Sequence, residues 1–122
     1  MARLLVAEDD PGVQMLVRKI VQDMGHIVVL SPDGQHALTN LITNKDFDLL
    51  ITDVDMPKMS GVELIDKLRE KSETKDLPII MISSVVSYSD ISDVLETGAT
   101  YFVAKPFKRK TLEDYIHRSL QK

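Results

Sequence analysis

Short apolar runs alternate with segments of helical periodicity five times along this chain of 122 residues. The runs around Leu5, Leu50 and Ile80 are continuously apolar, which is typical of strands buried on both faces of a parallel sheet. Between the runs, apolar residues recur at spacings of three and four, which predicts amphipathic helices. Alternating strands and helices with right-handed crossovers form a doubly wound α/β domain. We therefore predict a five-stranded parallel sheet of order 2-1-3-4-5, a flavodoxin-like (βα)5 fold.

The predicted elements fill the chain without a linker or a repeat. Pro11-Gly12 favours a helix start and Gly25 a helix end, which bounds the first helix. Strands are predicted over residues 3–7, 26–30, 48–52, 78–82 and 100–103, and the later helices over about 35–44, 61–71, 88–97 and 108–120.

Length and composition restrict the class of protein. A chain of 122 residues fits one domain, residues 1–122, with a core that needs no metal or disulfide support. It has no cysteine, so nothing argues for a secreted disulfide framework. It also has no apolar stretch of membrane-spanning length and no signal-peptide pattern, so we expect a cytoplasmic protein without a membrane partner. The net charge of −4 argues against direct nucleic-acid binding.

Acidic residues follow two strands that the predicted order makes neighbours. Glu8, Asp9 and Asp10 come directly after the first strand, and Asp53 and Asp55 follow the third. The carboxyl edge of an open α/β sheet is where ligands bind. Carboxylates this close repel each other unless one is protonated or a cation binds, and Mg²⁺ prefers a few carboxylates with waters and phosphate oxygens. Asp9 and Asp53 are therefore the predicted metal ligands.

The neighbouring acids have different predicted roles. Because alternate side chains of a strand point to opposite faces, we predict Glu8 as an outer acid that holds a metal-bound water. Asp10 has two competing roles, in the site or as the N-cap of the helix that starts at Pro11. For Asp55 we predict that the backbone carbonyl, and not the carboxylate, is a metal ligand.

A lysine and a serine complete this edge of the sheet. Lys105 follows the last strand, where it is expected to pair with the acids or with a bound phosphate, and Pro106 favours a fixed peptide, cis among the options. Ser83 is preferred over Ser84 as a hydroxyl donor to a phosphoryl oxygen. Phe102 is most simply a core residue. Carboxylates, an ammonium and a hydroxyl in one cleft indicate Mg²⁺ and a phosphoryl group.

Four segments form a joint pattern: AEDDP at 7–11, TDVDMPKMSG at 52–61, Ser83-Ser84, and KPF at 105–107. The pattern, which covers essentially the whole chain, resembles the receiver domain of bacterial two-component response regulators, of the chemotaxis-regulator type. The resemblance implies that Asp53 accepts a phosphoryl group from the phosphohistidine of a histidine kinase. It also implies a Mg²⁺ ion, with Mn²⁺ as a substitute, held by Asp9, Asp53 and the Asp55 carbonyl, with Glu8 acting through water.

The resemblance further implies how the signal is passed on. Lys105 would pair with the phosphoryl group, Ser83 would be the switch hydroxyl with Ser84 beside it, and Phe102 would be the switch aromatic, which is often Tyr in the family. The implied partners are a histidine kinase or phosphotransfer protein, and an output domain or downstream protein on the face of residues 88–97, 100–103 and 108–120. A phosphorylation-dependent dimer is a further expectation. Such a domain is not a classical enzyme, although it catalyses its own phosphorylation and dephosphorylation.

Three alternatives compete with this interpretation. In haloacid-dehalogenase-type phosphatases an Asp-x-Asp motif like that of Asp53 and Asp55 lies near the start of a longer chain, and position +4 is not proline as Pro57 is here. A flavodoxin needs a Gly/Ser/Thr-rich phosphate loop where this chain has Glu8, Asp9 and Asp10. A pseudo-receiver would act as a scaffold by protein binding without phosphorylation, and the complete set of acids, serine and lysine argues against it.

Overall fold

The protein forms a parallel sheet between two layers of helices. The structure, a computed structural model, describes residues 1–44, 46–84, 92, 95–96 and 98–121. All strand pairs are parallel and lie in the order β2-β1-β3-β4-β5, so the predicted fold and strand order are confirmed. The strands are β1 (Arg3–Ala7), β2 (Ile27–Ser31), β3 (Leu49–Asp53), β4 (Ile79–Ser83) and β5 (Tyr101–Ala104). In the described part of the chain the helices are α1 (Pro11–Asp23), α2 (Gly34–Thr43), α3 (Gly61–Arg69) and α4 (Arg109–Leu120).

Every strand after β1 lies one residue further along the chain than predicted. The reason is backbone pairing: Asp53 is in register with Ile82, and Ser83 is in register with Ala104. In β2, β3 and β4 the polar residue that ends the apolar run therefore still belongs to the strand. Helix α3 is shorter than predicted and ends at Arg69. The predicted helix over 88–97 falls for the most part outside the described residues.

The two faces of the sheet bury separate hydrophobic cores, because side chains of successive strand residues point to opposite faces. Leu5 and Leu50 pack on the face covered by α2 and α3, and Leu4 and Ile51 pack on the face covered by α1 and α4. All four are fully buried, and each such side chain contributes about 1.5–3 kcal/mol. Because helices cover both faces of the sheet, the functional side chains lie at its carboxyl edge, where the strands end and the loops begin.

Polar side chains cap the starts of α1, α2 and α3 close to that edge. The Asp33 carboxylate accepts a hydrogen bond from the backbone N–H of His36 (2.8 Å) at the start of α2. Ser60 and Glu63 form a reciprocal capping box at the start of α3. No described helix is both long and apolar enough to cross a membrane.

Candidate functional site

Three carboxylates converge at the carboxyl edge of β1 and β3. These strands are neighbours with Ala7 opposite Thr52, which places the residues that follow side by side. Glu8, Asp9 and Asp53 each offer a carboxylate oxygen, and these oxygens all lie within 4.8 Å of one another. Glu8 and Asp53 are buried, whereas Asp9 is exposed. The structure thus brings together the acids that the sequence predicted to meet.

One ammonium bridges the two buried acids. The Nζ atom of Lys105 lies 2.9 Å from Oε1 of Glu8 and 3.3 Å from Oδ2 of Asp53. The backbone of Lys105 is held beside β4, because its N–H donates to the Ser83 carbonyl (2.7 Å). The peptide between Lys105 and Pro106 is cis. The Lys105 side chain is only 22% exposed, so its charge is screened less than that of a surface lysine.

The electrostatics of the pocket reflect an excess of negative charge. Burial raises the pKa of Glu8, and hydrogen bonds from the Asp10 N–H and from Lys105 offset only part of this rise. Burial lowers the pKa of Lys105, but the hydrogen bond to Glu8 and the charge of Asp53 outweigh burial and raise the pKa. When all are ionised, three carboxylates and one ammonium leave two negative charges. An oxygen-only donor set with this charge fits a hard divalent cation such as Mg²⁺.

Each oxygen of the Asp53 carboxylate has its own partner. Oδ1 accepts a hydrogen bond from the Val54 N–H (2.8 Å), and Oδ2 faces Lys105. The hydroxyl of the buried Thr52 donates to the Asp53 carbonyl (3.0 Å). The side chain and backbone of Asp53 are therefore both held in place.

Gly61 ends the segment 52–61 of the sequence pattern, but the sequence analysis gave it no role in the site. A Cβ atom at this position would lie 2.2 Å from the carbonyl oxygen of Asp53. The Gly61 N–H also donates to the Val54 carbonyl (2.8 Å). The start of α3 thus packs directly on the backbone of Asp53, which only glycine permits. The sequence signal was a glycine directly after the capping serine, which by itself indicates only a helix start.

Asp10 is used as a helix cap. Its carboxylate accepts a hydrogen bond from the Gly12 N–H (2.9 Å) at the start of α1, as one of its two predicted roles required. Its own N–H donates to Oε2 of Glu8 (3.1 Å), so the backbone of Asp10 helps to orient the buried acid. Asp55 lies exposed in the loop after β3, and its carbonyl remains a predicted ligand.

The predicted switch residues lie on β4 and β5, beside the acids. Ser83 is fully buried at the end of β4, next to β3 on one side and β5 on the other, whereas Ser84 is exposed. Phe102 is half-buried opposite Met81 and packs against the core on the α2–α3 face. Their roles in switching remain predictions.

Comparisons with known proteins agree on one family. The family model described as response regulator receiver domain matches residues 4–117. A chemotaxis protein CheY homolog of Campylobacter jejuni is 32% identical over 115 residues, which cover 93% of this chain and 88% of that protein. A putative response regulator from Chloroflexus aurantiacus superposes with a TM-score of 0.93 at 30% identity, covering 99% of this chain and 98% of that one. The receiver domain of a sensor histidine kinase from Pseudomonas aeruginosa, solved with a magnesium ion coordinated in its active site cleft, has a TM-score of 0.89 at 25% identity, covering 98% and 97%.

Proposed function

Because this chain belongs to the response regulator receiver domain family, we propose that residues 1–122 are one domain whose Asp53 accepts a phosphoryl group. The donor is the phosphohistidine of a sensor histidine kinase or a phosphotransfer protein. The observation that carries the proposal is the convergence of Glu8, Asp9 and Lys105 on the Asp53 carboxylate.

In the transfer step an oxygen of the Asp53 carboxylate attacks phosphorus and forms an O–P bond. The P–N bond to the donor histidine breaks, and its electron pair goes to the imidazole, which takes a proton from solvent. Little covalent chemistry is needed beyond positioning and charge stabilisation. Lys105 neutralises charge on the phosphoryl oxygens, and the Val54 N–H holds the nucleophile in place. The acyl phosphate adds about two negative charges and strong hydrogen-bond acceptors to the pocket.

A divalent cation completes the proposed site. Asp9, Asp53 and the Asp55 carbonyl would hold Mg²⁺, or Mn²⁺ in its place, and Glu8 would act through a bound water. When bound, the ion supplies positive charge to the transferring phosphoryl group. The excess negative charge of the pocket supports this assignment, as does the magnesium ion in the Pseudomonas receiver domain.

The phosphorylated pocket would then reposition its neighbours. Ser83 moves toward a phosphoryl oxygen, and Phe102 enters the space that it leaves, which changes the face of β5 and α4, the described part of the predicted output face. A shift between two states needs only a few kcal/mol of differential interaction. That face would bind an output domain, a downstream protein or a second copy of the chain. We assign the domain to the cytoplasm, without nucleic acid or membrane as a direct partner.

The alternative is a pseudo-receiver that binds partners without being phosphorylated. The test is the intact mass of the protein after incubation with acetyl phosphate, with and without Mg²⁺. We expect a Mg²⁺-dependent gain of about 80 Da, one phosphoryl group replacing a proton. The gain should be absent in Asp53→Asn and present in Asp55→Asn, which keeps the backbone carbonyl. A wild-type protein that gains no mass would favour the pseudo-receiver.

A further inference from the structure

The guanidinium of Arg69, the last residue of α3, joins three separate parts of the backbone. Its Nε and Nη2 atoms both donate to the Gly98 carbonyl, at 3.2 and 2.7 Å. Its Nη1 atom donates to the carbonyls of Thr74 (3.1 Å) and Lys75 (2.9 Å). Only the planar fork of arginine reaches several acceptors in fixed directions. Arg69 therefore ties the end of α3 to the segments that lead into β4 and β5.

The contact with Arg69 requires glycine at position 98. Its φ angle of +115° is rarely adopted by other residues, and a Cβ atom there would lie 3.0 Å from Nε of Arg69. Two residues later, Thr100 is bound to the first residue of β4: its N–H donates to the Ile79 carbonyl (2.8 Å), and its hydroxyl accepts from the Ile79 N–H (3.0 Å). The entry into β5 is thus held by Arg69 and by Ile79.

Strand β5 is consequently held at both of its ends. At the edge of the sheet that carries Asp53, the N–H of Lys105, directly after β5, donates to the Ser83 carbonyl. At the opposite edge, Arg69 holds Gly98, shortly before β5 begins. A displacement at Ser83 therefore acts on one end of β5 while Arg69 holds the other, and Phe102 lies between these two ends.

We propose that Arg69 is a positioning residue for signal transmission: it anchors the chain where β5 begins, so that a change at Ser83 repacks Phe102. This inference rests on the proposed function. Arg69 lies at the opposite edge of the sheet from Asp53, so it is not expected to affect phosphoryl transfer itself.

The test compares Arg69→Lys with Arg18→Lys, a matched change of a half-buried arginine on α1. Lysine keeps the positive charge but has no planar guanidinium, so it cannot donate to the Gly98, Thr74 and Lys75 carbonyls in the same geometry. Each protein is first phosphorylated with acetyl phosphate and Mg²⁺ and its mass measured. Phosphorylation-induced changes in the NMR resonances of the Ser84 amide and of the Phe102 amide and ring are then compared. We expect equal phosphorylation and equal Ser84 shifts in all three proteins, with most of the Phe102 shift lost in Arg69→Lys only.

The outcomes separate this inference from the proposed function. A phosphorylated Arg69→Lys protein with the full Phe102 shift, whatever its melting temperature, would overturn the inference alone, because a merely structural role lowers stability without changing the response. A wild-type protein that is not phosphorylated would overturn both proposals. Gly98→Ala strains the same contact from the other side and should also lose the Phe102 shift. If Arg69→Lys does not fold, Gly98→Ala serves as the test, and a full Phe102 shift in that phosphorylated variant would overturn the inference.

Discussion

Replacing Gly61 with alanine should damage both stability and phosphoryl transfer, because the added methyl group meets backbone and not a flexible side chain. The Cβ atom would lie 2.2 Å from the Asp53 carbonyl oxygen, whereas real Cβ contacts are essentially never under 3.0 Å. The end of β3 and the start of α3 must therefore separate by about 0.8 Å, the difference between these distances. The start of α3 cannot move away from β3 without cost, since the Gly61 N–H also donates to the Val54 carbonyl and this hydrogen bond would lengthen.

Two opposing effects set the size of the loss. Forcing extra atoms into a packed site costs about 1–3 kcal/mol, and alanine regains at most about 1 kcal/mol over glycine in a helix. We expect a net loss of about 1–2 kcal/mol in the free energy of unfolding. A misplacement of about 1 Å at a reacting group lowers rates by about 10²-fold, so phosphorylation should slow by one to two orders of magnitude.

The assays are urea unfolding and the rate of mass gain with acetyl phosphate. The matched control is Gly12→Ala, whose Cβ atom would lie 3.4 Å from Oδ1 of Asp10, an ordinary contact. This control should be as stable as the wild type or slightly more so, because alanine favours the helix. A Gly61→Ala protein with wild-type stability and wild-type phosphorylation rate would refute the argument that α3 is packed against the Asp53 backbone.

Three further substitutions test the charges and caps. Lys105→Met leaves two buried carboxylates without their ammonium, so we expect a loss of about 2 kcal/mol at pH 7 in urea unfolding. Burial raises the pKa of Glu8, so this loss should shrink toward pH 5 as Glu8 protonates; equal losses at both pH values would contradict this. Burial and the N-terminal charge lower the pKa of His26, whose Nδ1 accepts from the Ala2 N–H (3.0 Å). As the pH falls, the unfolded chain therefore takes up this proton before the folded chain does, so the stability present above about pH 6.5 is lost below it. His26→Gln should flatten this pH dependence of the free energy of unfolding in urea, and an unchanged pH dependence would contradict the assignment. Ser60→Ala removes the α3 capping box and should lower the urea midpoint by the equivalent of about 1 kcal/mol, and an unchanged midpoint would show that the cap contributes nothing.

The fold was predictable because its main determinants are local patterns. Continuous apolar runs indicated buried parallel strands, and the helical periods between them fixed the alternation. Strand ends were not predictable to the residue, because they depend on partners across the sheet. Asp53 and Ser83 are polar and look like the first loop residues, yet Ile82 and Ala104 in the neighbouring strands extend the pairing to include them.

In the site, the sequence predicted which side chains meet but not what holds them. The topology alone brings Glu8, Asp53 and Lys105 to one edge. By contrast, the contact of Gly61 with Asp53 and the bonds of Arg69 to Gly98 depend on how a helix end packs against a distant backbone segment. No spacing or composition signal encodes such contacts in a single sequence.

Asp10 combines features of both of the roles that the sequence predicted for it. Its position before a proline fits a cap, and its place beside Glu8 and Asp9 fits a site. In the structure the carboxylate caps α1 while the backbone N–H binds the Glu8 carboxylate. One residue thus fixes both the start of the helix and the orientation of the buried acid, and these two uses need different atoms.

In the described part of the chain, the pocket concentrates like charges against the stability of the fold. Burial raises the pKa of Glu8, and the charge of Asp53 raises it further, so the folded protein resists full ionisation there. Lys105 relieves only one of the negative charges, and the apolar cores on both faces of the sheet must supply the rest of the stability. A second ammonium would remove this repulsion, but it would also remove the attraction for a divalent cation. The incomplete neutralisation therefore supports the proposal that the pocket binds a divalent cation and, with it, a phosphoryl group.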